Sequence, residues 1–106
     1  MATLNEVAFA IIGNAGDARA KLTAALKEAR EGNFSTARGC LKDAEAKILK
    51  AHEMQTAELL RKEADGALTE PVSVIVVHAQ DYVMTCMVMK ELVAEIINLY
   101  ETKAAK

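Results

Sequence analysis

The segment from Pro71 to Tyr100 constrains the fold of this chain more than any other part. From Val74 onward its apolar residues recur at helical spacing, and as far as Met89 they surround nearly the whole circumference of the predicted helix. One small partner surface cannot bury all the apolar sides of such a helix. We therefore expect it either to be the central element of its own domain or to pack against other subunits as well.

Polar residues interrupt this apolar segment. On a helix, His78 and Asp81 lie about 60° apart, on a stripe that also contains Thr85. The apolar members of the stripe are Val74, Ile75, Tyr82, Met89, Leu92 and Ile96, and the opposite side carries Val76, Val83 and Met87. An imidazole beside a carboxylate can act as a nucleophile or base near neutral pH, so His78 is the candidate functional residue. Thr85 is expected only to bond back to the carbonyl four residues earlier.

Two further helices are predicted before this segment. Thr3 and Glu6 form a capping-box pattern that begins the first helix, and Gly32 ends it. Asn33 is the natural N-cap of the second helix, so the very short connection predicts an antiparallel hairpin. The predicted inner stripes are Leu4, Val7, Ala8, Ile11, Ala15, Ala18, Leu22, Ala25, Leu26 and Ala29, then Phe34, Ala37, Leu41, Ala44, Ile48, Ala51, Gln55 and Leu59.

The third helix is predicted to begin at Pro71, which suits a first helical turn. Residues 72–77 are mostly β-branched, but no other segment offers a strand to pair with them. The prediction is an all-α, three-helix antiparallel up-down-up subunit, with helices at about 3–31, 34–64 and 71–102 in a single domain of residues 1–106. Residues 103–106 are expected to fray. Gly13 and Gly16, inside the first helix, indicate either close helix packing or the approach of a partner.

Composition and motifs exclude several classes of function. The net charge of −2 and the interspersed positive residues argue against nucleic-acid binding. No apolar run approaches the roughly 20 residues that span a bilayer, and two cysteines are too few for a disulfide framework, which fits a cytoplasmic location. Cys86 is about 12 Å along the helix from His78, too far for a Cys-His pair. His52, His78 and Asp81 form no recognised zinc motif, and Gly13 to Gly16 matches no phosphate loop.

Three motifs occur in order over the three predicted helices. They are Gly16-Asp17-Ala18-Arg19, Ala51-His52 followed by Gln55-Thr56, and His78-Ala79-Gln80-Asp81-Tyr82-Val83-Met84-Thr85. Together they resemble the enzyme IIA component of the lactose/cellobiose/chitobiose class of the bacterial sugar phosphotransferase system, and the resemblance covers essentially the whole chain.

The resemblance implies a phosphocarrier with phosphotransferase activity, assembled as a homotrimeric helical bundle. The residue that accepts the phosphoryl group matches His78, and Nε2 is the implied atom. The donor would be the histidine phosphocarrier protein, the acceptor would be a cysteine of a sugar-specific IIB component, and the IIC permease would then move the sugar. Cys40 and Cys86 match no transfer residue of this family and are expected to be buried thiols.

The resemblance also bears on the neighbours of His78. Gln80 projects about 200° away from it, so we expect Gln80 to contact a phosphate only on a neighbouring subunit. The carboxylates of Asp81 would meet in a trimer, and the resemblance implies a divalent cation between them, for which oxygen ligands favour Mg²⁺. Tyr82 departs from several relatives, which have a second histidine there. Three residues that can line the same groove are His52, Gln55 and Thr56.

The alternative is a non-catalytic helical oligomer or interaction module. In that interpretation His78 and Asp81 form a buried structural polar pair that fixes the register of the helices. A third class, metal-dependent catalysis on a small molecule, would show activity without phosphocarrier partners. The sequence does not distinguish lactose, cellobiose and chitobiose, because in the family the permease binds the sugar.

Overall fold

The structure, a computed structural model, describes residues 2–106 and contains three long helices. Helix α1 is Leu4–Arg30. Helix α2 runs continuously through Phe34–Gln55, a π-helical turn at Thr56–Leu60 and a last α-helical turn at Arg61–Ala64. Helix α3 is Val74–Ala105. No strand occurs among these residues, so the predicted all-α, three-helix fold is confirmed. None of the helices in the described part of the chain is apolar over the length needed to span a membrane.

The predicted signals at the ends of α1 are all present. The Thr3 hydroxyl accepts from the backbone N–H of Glu6 at 3.1 Å, and the Glu6 carboxylate accepts from the Thr3 N–H at 3.3 Å. At the other end Gly32 has a φ of 85°, and the N–H of Asn33 donates to the carbonyl of Glu28, which is a Schellman ending. Asn33 is the N-cap of α2 by position, but its side chain donates to Glu28 rather than to the helix.

Helix α3 begins at Val74, three residues later than the sequence predicts. Ser73 is its N-cap, because the Ser73 hydroxyl accepts from the Val76 N–H at 3.4 Å while donating to Asn5 Oδ1 at 2.8 Å. Pro71 therefore belongs to the connection and not to the first turn. The helix also continues to Ala105, beyond the predicted end near residue 102, because alanine and lysine favour helix.

The predicted inner faces of α1 and α2 are nearly all buried. Leu26, Phe34 and Leu41 are the exceptions, since each is only partly buried. The remaining members include many alanines, which allow the helices to approach closely and form an elongated body of 57 × 19 × 19 Å. Only one of these buried residues is polar, namely Gln55.

Helix α3 packs against α1 and α2 by one face only. Its buried residues are Val76, Ala79, Val83, Cys86, Val93 and Ile97. The opposite face is apolar too, and we call it the outer stripe: Val74, Val77, Met84, Val88, Leu92 and Leu99, each between 49% and 83% exposed. Asp81 lies in the same row and is exposed. A single chain thus covers half of this helix and leaves an apolar surface unpartnered.

The two glycines inside α1 do not reflect close packing within the chain. A Cβ at Gly13 would meet nothing within 4 Å, and one at Gly16 would lie 3.6 Å from the Tyr82 hydroxyl, which is ordinary van der Waals contact. Of the two predicted explanations, close helix packing therefore does not hold within a single chain.

Candidate functional site

The candidate nucleophile His78 lies in the second turn of α3, beside the outer stripe. Its side chain is exposed, and within residues 2–106 its imidazole takes part in no hydrogen bond or ion pair. Neither ring nitrogen is therefore engaged by the described part of this chain. Asp81 is exposed as well and does not bond to His78, so a single chain does not form the buried polar pair of the alternative interpretation.

The Tyr82 ring packs against one side of the His78 imidazole. The two side chains lie one helical turn apart, and their rings are tilted by 37° relative to each other. The Tyr82 hydroxyl extends toward α1 at Gly16, which places the His78 ring on the α1 flank of α3. An aromatic contact of this kind restricts the rotamers of the imidazole without using either nitrogen.

An open groove of about 410 Å³ continues from Tyr82 along the same flank. Arg19 of α1 forms one wall, and Thr85, Val88 and Leu92 form much of the other. The Thr85 hydroxyl donates to the backbone carbonyl of Asp81, as predicted, and is not free to act in the groove. The groove is mostly apolar and merges with the outer stripe, so it suits another helix better than a small polar ligand.

Gln80 lies on the opposite flank, where α3 faces α2. Its side-chain oxygen accepts a hydrogen bond from the Nε2 amide of Gln55. Gln80 is half-buried and Gln55 is only 3% exposed, so this contact bridges two helices at the edge of the core. Helical spacing predicts Gln55 on the inner stripe of α2, but no signal in the sequence predicted its contact with Gln80.

The other two polar residues of the second motif are less closely connected to α3. His52 and Thr56 are both half-buried, and neither donates to or accepts from a side chain of α3 in the part of the chain described. Ala51 belongs to the same apolar cluster as Val76 and Ala79 of α3, and Gln55 adds the hydrogen bond to Gln80.

The two cysteines take no part in the site. Cys86 is buried, its thiol donates to the Ala15 carbonyl at 3.5 Å, and burial raises its pKa, an effect that the charge of Arg19 partly opposes. Cys40 is only half-buried and lies near the start of α2, so the prediction of two buried thiols holds for Cys86 alone. Both thiols are free.

A metal site is not complete within one chain. Among residues 2–106 no three side chains of His, Cys, Asp or Glu are close enough together to hold an ion. Asp81 offers one exposed carboxylate, and the other exposed carboxylate in the same row, Glu95, lies about 21 Å further along α3.

The sequence also matches a known protein family. Residues 6–101 match the family described as PTS system, lactose/cellobiose-specific IIA subunit. The chain is 41% identical over 98 residues to the lichenan-specific phosphotransferase enzyme IIA component of Bacillus subtilis strain 168, a match that covers 92% of this chain and 87% of that protein.

Solved structures give the same result for the fold. The structure matches the PTS cellobiose-specific enzyme IIA from Bacillus anthracis with a TM-score of 0.91 and 40% identity, over 100% of this chain and 95% of that one. It matches IIA(chitobiose) of Escherichia coli, solved in complex with HPr, with a TM-score of 0.79 and 34% identity, over 98% and 99% of the two chains.

Proposed function

This chain belongs to the lactose/cellobiose-specific IIA family of the sugar phosphotransferase system, and we propose on that premise that His78 is the residue that carries its phosphoryl group. As a phosphotransferase component, it would accept the group from the histidine phosphocarrier protein HPr and pass it to a cysteine of a IIB component in the cytoplasm. The IIC permease would then import a sugar of the cellobiose/chitobiose or lactose type. One relative was solved in complex with HPr, which supports the first of these partners.

The observation that carries this proposal is the exposed, unbonded imidazole of His78 on an otherwise apolar helix. A relay must meet two proteins in succession at the same atom, and each must reach the phosphorus in line with the bond that breaks. An imidazole buried in a structural polar pair would not permit that approach.

The chemistry needs no redox partner. Neutral His78, with its proton on Nδ1, attacks the phosphorus of the donor phosphohistidine through the lone pair of Nε2. A new P–N bond forms while the old P–N bond breaks, and its electron pair returns to the donor imidazole, which keeps a proton on its other ring nitrogen and leaves in its neutral form. In the second step a IIB thiolate attacks the same phosphorus, a P–S bond forms, and the His78 imidazole leaves in its neutral form. Tyr82 would keep the His78 ring oriented through both steps.

We further propose that the outer stripe is the interface of a parallel homotrimer. Together with the exposed acids Asp81 and Glu95, its residues recur every three or four positions on α3, which is the spacing of a helical seam. Relative to this seam, His78 and Gln80 lie on opposite flanks, roughly 70° and 90° from its centre. Around a threefold axis each chain presents one flank to the opposite flank of the next. His78 of one chain would then face Gln80 of its neighbour, where the Gln80 amide can donate to a phosphoryl oxygen.

The same assembly would bring three Asp81 carboxylates together near the axis. Like charges in an apolar seam repel each other, so a cation would stabilise them. Oxygen donors fit Mg²⁺, and we propose that Asp81 from each of three chains would hold it. Bound there, the ion would neutralise the carboxylates, and its chemical role would be structural.

Intact mass measurement tests the central proposal. The protein is incubated with phosphoenolpyruvate and the general phosphotransferase proteins, and an acid-labile adduct with the mass of one phosphoryl group is expected. His78→Ala should abolish the adduct, whereas His52→Ala, which removes the other histidine, should retain it. An adduct that survives in His78→Ala, or none in the wild type with active donors, would contradict the assignment.

A further inference from the structure

The buried amide of Gln55 is the feature that the proposed function leaves unexplained. Gln55 lies on the inner stripe of α2 between Ala51 and Leu59, and both of these residues are buried and apolar. It is the only polar residue in the described chain with so little exposed surface. Burying an amide is costly unless both of its ends are hydrogen-bonded, and a core position of this kind normally favours leucine or methionine.

Only one end of this amide is hydrogen-bonded. Nε2 of Gln55 donates to Gln80, while Oε1 of Gln55 is buried and accepts from no donor among residues 2–106. An unsatisfied buried acceptor destabilises the fold, so packing and stability do not account for glutamine at this position. Helix α2 changes to a π-helical turn directly after Gln55, at Thr56–Leu60, and turns of this kind are frequent at functional sites.

The hydrogen bond from Gln55 determines which end of the Gln80 amide is available to bind another group. A carboxamide has one accepting oxygen and one donating NH₂ group. Because the Gln80 oxygen is already engaged by Gln55, its NH₂ group is the end left free for another partner. Phosphoryl oxygens only accept hydrogen bonds, so this orientation is the one that can serve a phosphohistidine. With the Gln80 amide reversed, its oxygen would face the phosphoryl group and repel it.

We infer that Gln55 is a positioning residue for phosphoryl transfer: its buried amide fixes Gln80 with the donating NH₂ group directed away from the core, toward the phosphoryl group of a neighbouring His78. This inference rests on the proposed function, since it requires phosphate at His78 and the contact from Gln80. It adds a residue of α2 that never touches the phosphoryl group and acts through the orientation of another side chain.

The test replaces Gln55 by a residue of similar length that cannot donate. In Gln55→Met, phosphoryl transfer should slow by about three- to tenfold, the rate equivalent of one hydrogen bond, through a lower kcat with an unchanged KM for phosphorylated HPr. Thermal stability should stay the same or rise, because a buried unsatisfied acceptor is removed. Met54→Leu, at the adjacent half-buried position, is the matched control and should leave the transfer rate unchanged.

A double-mutant cycle separates positioning from a structural role. In a Gln80→Ala background, Gln55→Met should cause no further loss of rate, because the side chain through which it acts is absent. Wild-type rates in Gln55→Met, or an equal loss in both backgrounds, would overturn the inference. If the wild-type protein gains no phosphoryl group at all, the proposed function fails instead, and the mass measurement identifies that case.

A second measurement follows the side-chain amides directly, and its first part uses the wild-type protein alone. In nitrogen-15 spectra, the side-chain NH₂ signals of Gln80 should shift when His78 is phosphorylated, and those of Gln55 should move much less. In Gln55→Met the Gln80 shift should be reduced. Gln80 signals that do not respond to phosphorylation of His78 would overturn the inference.

Discussion

The rings of His78 and Tyr82 lie side by side on α3, with their centroids 5.6 Å apart. A histidine in place of Tyr82 could bring positive charge to a phosphoryl group. Tyrosine brings none at neutral pH, so in this chain its contribution near His78 is the ring contact and the hydroxyl.

The ring contact predicts a difference between two substitutions. Tyr82→Phe keeps the ring and should change the rate of His78 phosphorylation by less than about twofold, whereas Tyr82→Ala should slow it by about two- to tenfold, the value of one aromatic contact. Tyr100→Ala, roughly 33 Å along α3 from His78, is the control for loss of a tyrosine. The rates are measured by rapid quenching with phosphorylated HPr as donor. Equal rates for the Phe and Ala variants would show that the ring does not orient His78.

Asp81→Leu should preserve or strengthen the proposed trimer and remove its metal. The substitution replaces three facing carboxylates by apolar side chains that match Met84 and Val88 in the same row. Sedimentation equilibrium gives the mass of the assembly, and equilibrium dialysis gives the bound Mg²⁺. Val88→Asp, which places a new charge two turns further along the stripe, should dissociate the trimer. Monomers of Asp81→Leu would mean that the carboxylates are needed for assembly.

The stability contributed by Cys86 should decrease in alkaline solution. Burial raises the pKa of the folded thiol above its ordinary value of 9.0, so the unfolded chain loses this proton first as the pH rises. At pH 7 both states keep the proton, and wild type should exceed Cys86→Ala by about 1 kcal/mol in its free energy of unfolding. Above about pH 9 this difference should narrow. Urea titrations at pH 7 and pH 10 measure it, and a constant difference would contradict the prediction. Because Cys40 is present in both proteins, it does not contribute to the difference between their free energies of unfolding.

Two glycines on either side of the first turn of α2 should respond to alanine in opposite directions. Gly32 has a φ of 85°, which an L residue adopts only with strain, so Gly32→Ala should lower the free energy of unfolding by about 1 kcal/mol. Gly39 lies inside α2, and a Cβ there would meet nothing within 4 Å, so Gly39→Ala should raise it by roughly 0.5–1 kcal/mol. Thermal unfolding at one fixed protein concentration compares the stabilities of the two variants with that of the wild type. A gain from Gly32→Ala would show that its backbone conformation is not required.

The parts of this fold that sequence predicts are those governed by residues close together in the chain. The capping box of Thr3 and Glu6, the left-handed ending at Gly32 and the hydroxyl bond of Thr85 each involve partners within a few positions. The buried faces of α1 and α2 follow from helical spacing alone.

What sequence did not predict depends on contacts between distant segments. Ser73 rather than Pro71 sets the start of α3 through its local cap on the Val76 N–H, and the same hydroxyl also donates to Asn5, far away in the chain. The same holds for the site: His78 and Gln80 were recognisable from their motif, but the bond from Gln55 depends on how α2 and α3 pack. Which side of α3 faces the core was also open, since both sides are apolar.

The outer stripe has a consequence for how this protein behaves when it is scarce. In the proposed assembly, other copies of the chain cover this row of aliphatic side chains and so stabilise the folded helix. Dilution favours dissociation of the assembly and would therefore lower the stability of each chain. A newly synthesised chain would be most exposed to proteases and to sticking nonspecifically before it meets two others. The number of copies in the cell, and not only the sequence, would then set how long each chain survives.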